Sequence, residues 1–183
     1  MKLPLPQRRR KRFVIDADIA KAASPSQASE ASKCFDFLVA LQQCHHKVVF
    51  SNELWGEWLN NHSRYSRRWM TEMRGRRLVD RIGDPINREL RNKINKLTVK
   101  AKELEAMNKD VHLLEAALAT GNIVASKEAE AFDCFVGASG QIGEIRSIVW
   151  VNPVKEEDSC QNWLVRGAPP DRERQLGYQH RGH

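Results

Sequence analysis

The sequence predicts a three-layer α/β/α protein built on a central parallel sheet of about four strands. Three observations carry that prediction. Short apolar runs at Phe13-Val14-Ile15, Lys47–Ser51 (KVVFS), Ile123–Ala125 and Ser147–Val151 (SIVWV) have the length and β-branched or aromatic content of buried strands. The segments between them place apolar residues at helical spacing, in the order β-α-β, several helices, then β-α-β, the alternation that buries a parallel sheet between helices. The chain's 183 residues, 41% hydrophobic and 29% charged, suffice for one domain with a sizeable core and leave little room for a second.

Element by element, residues 1–11 read as a disordered basic arm, because Pro4 and Pro6 oppose regular structure. Arg12–Ile15 is a buried strand ending at Asp16. Ala22–Ser29 is a Ser/Ala/Pro loop leading into a helix, with Ser26 or Ser29 as its candidate cap. From Ala31 to Cys44, the residues Cys34, Phe35, Phe37, Leu38, Leu41 and Cys44 recur at helical spacing. After the second strand, Asn52–Leu59 starts a helix with Leu54, Trp55, Trp58 and Leu59 on one side. The span Arg64–Asn108 carries no strand signal. Breaks at Gly75 and Gly83-Asp84-Pro85 divide it into two or three helices, the last from about Pro85 to about Met107. Asp110–Thr120 reads as a further helix closed by Gly121-Asn122. The third strand, a short helix over Glu128–Phe135 and the fourth strand follow, stopped by Asn152-Pro153. The folded domain is therefore 12–154, with 62–109 as an inserted basic helical segment, and 155–183 is expected to be a polar, mostly disordered tail.

No window reaches 18 consecutive apolar residues, and no apolar h-region follows the basic N-terminus, so neither a membrane span nor a secretory signal is expected. The four cysteines, Cys34, Cys44, Cys134 and Cys160, form no C-x-x-C pair and read as reduced thiols of a cytoplasmic protein. The formal net charge is +7. Residues 62–109 hold 14 Lys/Arg against 6 Asp/Glu, residues 1–12 add six basic side chains, and the rest of the chain is acidic. Such asymmetry suits an acidic pocket beside a basic surface for a polyanion.

Ligands of parallel α/β sheets bind beyond the carboxyl ends of the strands. Acids stand there repeatedly: Asp16 and Asp18 after the first strand, Glu53 and Glu57 after the second, Glu128 after the third, with Asp110 opening the helix before it. Converging carboxylates raise one another's pKa, and a hard cation removes the penalty. Mg²⁺ or Mn²⁺ takes such oxygen ligands and bridges to phosphate, acidifying water and neutralising phosphoryl charge. Glu53 and Glu57 stand four apart on one helix face, so spacing does not choose between them.

The segments FVIDADI, VVFSNELWGEWL, DVHLLEAALATGNIVASKE and IVWVNP resemble, in this order, the PIN domains, among them the VapC-type toxins of toxin–antitoxin pairs. The resemblance covers roughly residues 12–153. It implies a PIN-like fold and an endoribonuclease that uses one or two Mg²⁺ or Mn²⁺ ions and a metal-activated water, with no covalent enzyme intermediate. Asp16 and Asp110 would hold the main ion. Glu57, the resemblance's choice over Glu53, would ligate it through water or hold a second, and Glu128 would complete the site. Ser126 would position a water or phosphate. Two departures stand out: Glu128 occupies a position that is usually Asp, and the stretch from Glu57 to Asp110 is long and basic.

The blander readings make Asp16 a turn residue, Asp110 an N-cap, Asp18 and Glu128 first-turn acids, and His112 a packing histidine. No Ser/His/Asp or Cys/His arrangement supports nucleophilic catalysis. Basic runs are commonly solvated faces, yet few acids stand at i+4 here. Arg64, Arg67, Arg68, Arg74, Arg76 and Arg77 are therefore expected to contact RNA phosphates without reading sequence. RNA is the expected partner. The same surface is compatible with an acidic partner such as an antitoxin protein, a homodimer is a further open alternative, and DNA shares the chemistry. The alternative is a catalytically silent RNA-binding or protein-interaction module with the same fold.

Overall fold

The computed structural model describes residues 10–155 and 157–179. The basic arm expected over 1–11 lies almost wholly outside them.

Five parallel strands form the sheet: β1 (Arg12–Ile15), β2 (Lys47–Phe50), β3 (Val79–Arg81), β4 (Ile123–Ala125) and β5 (Val149–Val151), in spatial order β3-β2-β1-β4-β5. Every residue of β4 and β5, and all but the first of β1 and β2, is buried. Burial on both faces requires helices on both sides, and the continuous apolar character of these strands follows from it. The architecture is three-layer α/β/α.

β3 is the strand the sequence analysis did not anticipate. Its three residues are partly exposed at the sheet edge, so it shows no apolar run. Asp80 anchors it, accepting from Arg12 Nε on β1 at 2.9 Å and from Lys47 Nζ on β2 at 2.9 Å. Burial opposes ionisation of Asp80, but the two cations outweigh it and hold its carboxyl below the usual range.

Between the strands run α1 (Ala17–Ala22), α2 (Ser29–Gln43), α3 (Asn52–Asn60), α4 (Arg64–Gly75), α5 (Arg88–Asn95), α6 (Ala101–Leu118) and α7 (Ala129–Ser139). No side chain caps α2, whose N-cap is Ala28, so neither Ser26 nor Ser29 serves as its cap. α6 corrects the expected division near Met107. It is one helix of 18 residues, and Asp110 lies in its interior instead of opening it. Gly121 and Asn122 end the connection to β4. Asn122 has φ 55°, and a Cβ at Gly121 would sit 2.5 Å from the Arg12 carbonyl oxygen. That close approach to β1 admits only glycine without a shift.

The tail expectation is also corrected. α8 (Glu157–Val165) and α9 (Leu176–Gln179) fold back onto the domain and bury Cys160, Trp163, Leu164 and Leu176. Trp163 meets Phe13 of β1 edge-on at 5.8 Å between ring centroids. His46 joins the same contact. Its Nδ1 accepts from the Lys11 backbone N–H at 3.1 Å, so Nε2 carries the proton and faces the Leu164 carbonyl at 3.2 Å. Gln175 forms an antiparallel bridge with Val149, covering the edge at β5. A few scattered apolar residues among charged ones give no periodicity, which is why this segment reads as polar in sequence.

No helix among the described residues is long and apolar enough to cross a membrane.

Candidate active site

The connection from β1 turns to β2 on one side, whereas β3 crosses back to β4 on the other. The crevice beyond the carboxyl ends of β1 and β4 is therefore the switch point where an open parallel sheet receives its ligand. Asp16 follows β1 directly, and Ser126 follows β4.

Local chemistry fixes both. The Asp16 backbone N–H extends the sheet to Ala125 at 2.8 Å, and its carboxylate caps α1 by accepting from the Asp18 N–H at 3.3 Å. Ser126 Oγ donates to Asp16 Oδ2 at 2.8 Å and accepts from the Glu128 N–H at 3.1 Å. The Lys127 N–H donates to Asp18 Oδ2 at 3.0 Å. Ser126 is fully buried, so its expected contact with RNA is replaced by a positioning role on Asp16.

From the other side, Ser51 caps α3 by accepting from the Leu54 N–H at 3.1 Å. Trp58 Nε1 donates to the Ile15 carbonyl at 2.8 Å, pinning that helix against the end of β1. This delivers Glu57 to the group. α6 delivers Asp110, which is 7% exposed.

Asp16, Asp110 and Glu57 feel one another. Burial first, then the Asp16 charge, pushes Asp110 up to about 6. The same two causes push Asp18 up to about 7. Burial raises Asp16 as well, with Glu57 adding to it and Ser126 working against it. Asp18 Oδ1 is buried with no hydrogen-bond partner among the described residues. Carboxylates that repel one another, one with an orphaned oxygen, are the donors a hard divalent cation takes, although among the described residues the only three donor atoms within 4.8 Å of one another belong to Glu53, Glu57 and His112.

Glu128 does not join. Its side chain is exposed at the start of α7, and no hydrogen bond or ion pair among the described residues draws its carboxylate inward. Glu53 and His112, by contrast, stand beside Glu57. His112 Nε2 lies 3.1 Å from Glu57 Oε2, Glu53 is within 3.8 Å of the ring, and the three side chains offer donor atoms all within 4.8 Å of one another. Both glutamates that spacing left undecided thus reach His112, and the Glu57 charge also acts on Asp16. Burial alone would lower the His112 pKa. The Glu57 carboxylate, with Glu53 and the Lys109 carbonyl, outweighs burial and raises it.

No family model, curated protein or solved structure matches the chain.

Asp18 and His112 are the residues that sequence reasoning undervalued. His112 stands two positions from Asp110, a spacing that points to different helix faces. α6 is buried on every side from Asp110 to Ala117, so both residues are enclosed and no amphipathic phase marks either. For Asp18, the D-x-D spacing after β1 was the available signal.

The arginines expected to meet RNA, Arg64, Arg67, Arg68, Arg74, Arg76 and Arg77, are all exposed on α4 or just beyond it. Arg67 donates to His62, Arg68 faces Glu72 at 3.8 Å, and Arg74 lies 6.0 Å from the Trp55 ring centre. Arg64, Arg76 and Arg77 have no ion-pair partner among the described residues. Three of the later basic residues differ: Arg91 pairs with Glu115, Lys93 with Glu89 and Glu144, and Lys102 with Glu130.

Proposed function

We propose that the chain is a divalent-metal-dependent endoribonuclease. The observation that carries this reading is that Asp16, Asp18 and Asp110 lie around the switch point close enough for charge to act between them, burial with the Asp16 charge raising the pKa of Asp18 and Asp110, and burial with the Glu57 charge raising that of Asp16. The resemblance of the surrounding segments to PIN domains supports the same chemistry.

Asp16, Asp18 and Asp110 would hold Mg²⁺ or Mn²⁺, with Glu57 at its margin. A cation bound there supplies neutralisation of phosphoryl charge and acidifies a coordinated water. Ser126 keeps Asp16 oriented, and the Lys127 N–H keeps Asp18 Oδ2 in place, so the unpartnered Asp18 Oδ1 is preorganised. The arginines of α4 hold the RNA backbone by phosphate contact and leave base sequence unread.

The test is cleavage of single-stranded RNA, with DNA of the same sequence in parallel, in Mg²⁺, Mn²⁺ and EDTA. EDTA should stop RNA cleavage, and Asp16→Asn and Asp110→Asn should each reduce it by roughly a hundredfold or more. Full activity in both variants, or activity that persists in EDTA, rules out this site. Wild-type protein that binds RNA and no metal leaves the silent RNA-binding module, a reading that the exclusion of Glu128 from the group favours.

A further inference from the structure

The nuclease reading leaves His112 without a task, although the imidazole is 4% exposed and its polar edge faces carboxylates. Its Nδ1 lies 3.0 Å from the Lys109 carbonyl oxygen. A carbonyl only accepts, so Nδ1 carries the proton and donates. Nε2 is then turned toward Glu57 Oε2 at 3.1 Å, while Glu53 Oε1 approaches the ring at Nδ1, 3.8 Å away. In the neutral ring that nitrogen presents a lone pair to a carboxylate oxygen. Two acceptors at hydrogen-bond distance require a positive centre between them, either a second ring proton or a cation.

Three features favour the cation. A ring N–H donated to a backbone carbonyl is how a metal-ligating histidine is commonly oriented, and Lys109 lies outside the donor group. The Glu53, Glu57 and His112 donors already lie within 4.8 Å of one another. Ligands ~2.1 Å from one ion stand ~3 Å apart when adjacent and ~4.2 Å apart when opposite, so small side-chain rotations close the set. A cleft of about 250 Å³, lined by Ser51, Glu53, Asp84, Pro85 and Ile86, reaches His112 and gives an ion and its waters a way in. Two carboxylates with one imidazole are also a different donor set from the all-oxygen group at Asp16. Imidazole suits first-row transition metals, whereas Mg²⁺ prefers oxygen alone.

We infer that Glu53, Glu57 and His112 form a second cation site, which takes a first-row transition-metal ion such as Mn²⁺ or Zn²⁺ in preference to Mg²⁺. It shares Glu57 with the proposed nuclease centre but stands independently of RNA cleavage.

The experiment titrates the full chain with Mn²⁺ in saturating Mg²⁺ and reads ¹⁴N hyperfine coupling by pulsed electron paramagnetic resonance. Wild type should show coupling from one imidazole. His112→Gln should lose it and weaken Mn²⁺ binding by roughly tenfold or more. Glu53→Gln, a change on an exposed side chain, should weaken the same binding even if the histidine variant folds poorly. Asp110→Asn should retain the nitrogen signal. Absence of coupling in wild type, coupling that survives His112→Gln, or unchanged Mn²⁺ affinity in Glu53→Gln overturns the site and leaves an imidazolium–Glu57 ion pair. An intact nitrogen signal in a chain that cleaves no RNA retires the nuclease reading alone.

Discussion

Asp110 shows what the gathered carboxylates cost the metal-free protein. Its pKa is raised from an ordinary value near 3.8 to about 6, by burial and then by the Asp16 charge. Since the folded value lies above the unfolded one, the penalty is absent below pH 3.8, grows as pH rises, and is complete above about 6. At pH 8 it amounts to something on the order of 3 kcal/mol. Asp110→Asn should therefore melt higher than wild type at pH 8 in EDTA, by about 2–4 °C for each kcal/mol regained. The gap should shrink as pH falls toward 4, because wild type then carries a neutral Asp110 as well. Calorimetric scans at the two pH values check this, and a gap that ignores pH would show that the ionised carboxylate is not the source. Asp16 was legible because it directly follows an apolar strand. His112 was not, because its role depends on α3 meeting α6, and no local pattern encodes that meeting.

At the scale of elements, α5 and α6 are joined by a pair that stabilises only while complete. Glu115 is 3% exposed and takes Arg91 Nε and Nη2 at 2.7 Å each, with the Asn87 N–H at 2.9 Å. Removing the arginine leaves a buried charge with one backbone donor. Arg91→Met should cost roughly 3 kcal/mol in urea unfolding. Adding Glu115→Gln to that variant should recover much of the loss, since the stranded charge is gone. A double variant no more stable than Arg91→Met would place the cost in the lost packing of the arginine stem instead. This pairing also explains part of what the sequence concealed. The basic segment has few i+4 acids, so it reads as unneutralised, yet Arg91, Lys93 and Lys102 find distant acids in the fold. β1, β2, β4 and β5 were legible because they are buried on both faces. β3 was not, because Asp80 and Arg81 at a partly exposed edge look like any polar turn.

The whole molecule divides its charge between cations tied into the fold and cations left to solvent. Trp163 against Phe13 and Gln175 against Val149 show a C-terminal segment that completes the sheet's cover, and a sequence scan for periodicity passes over it because its apolar residues are few and each finds its partner far away in the chain. Charge works the same way over distance. Lys93 and Lys102 lie in the basic run, but their ammonium groups sit 2.7 Å from Glu89 and 3.0 Å from Glu130. Arg64 and Arg76 are exposed, with no ion-pair partner among the described residues. Only cations of the second kind can release counterions from a nucleic acid without first breaking an internal pair. If the α4 surface holds RNA, the logarithm of affinity falls with the logarithm of salt concentration by ~0.7 for each phosphate neutralised on a single strand. Arg64→Gln with Arg76→Gln should then flatten that slope by ~1.4 and weaken binding alike for unrelated sequences. Lys93→Gln with Lys102→Gln removes the same formal charge and should leave the slope nearly unchanged. Equal flattening in the two double variants, measured by fluorescence anisotropy across a salt series, would mean that RNA responds to net charge alone and that α4 is not its docking surface.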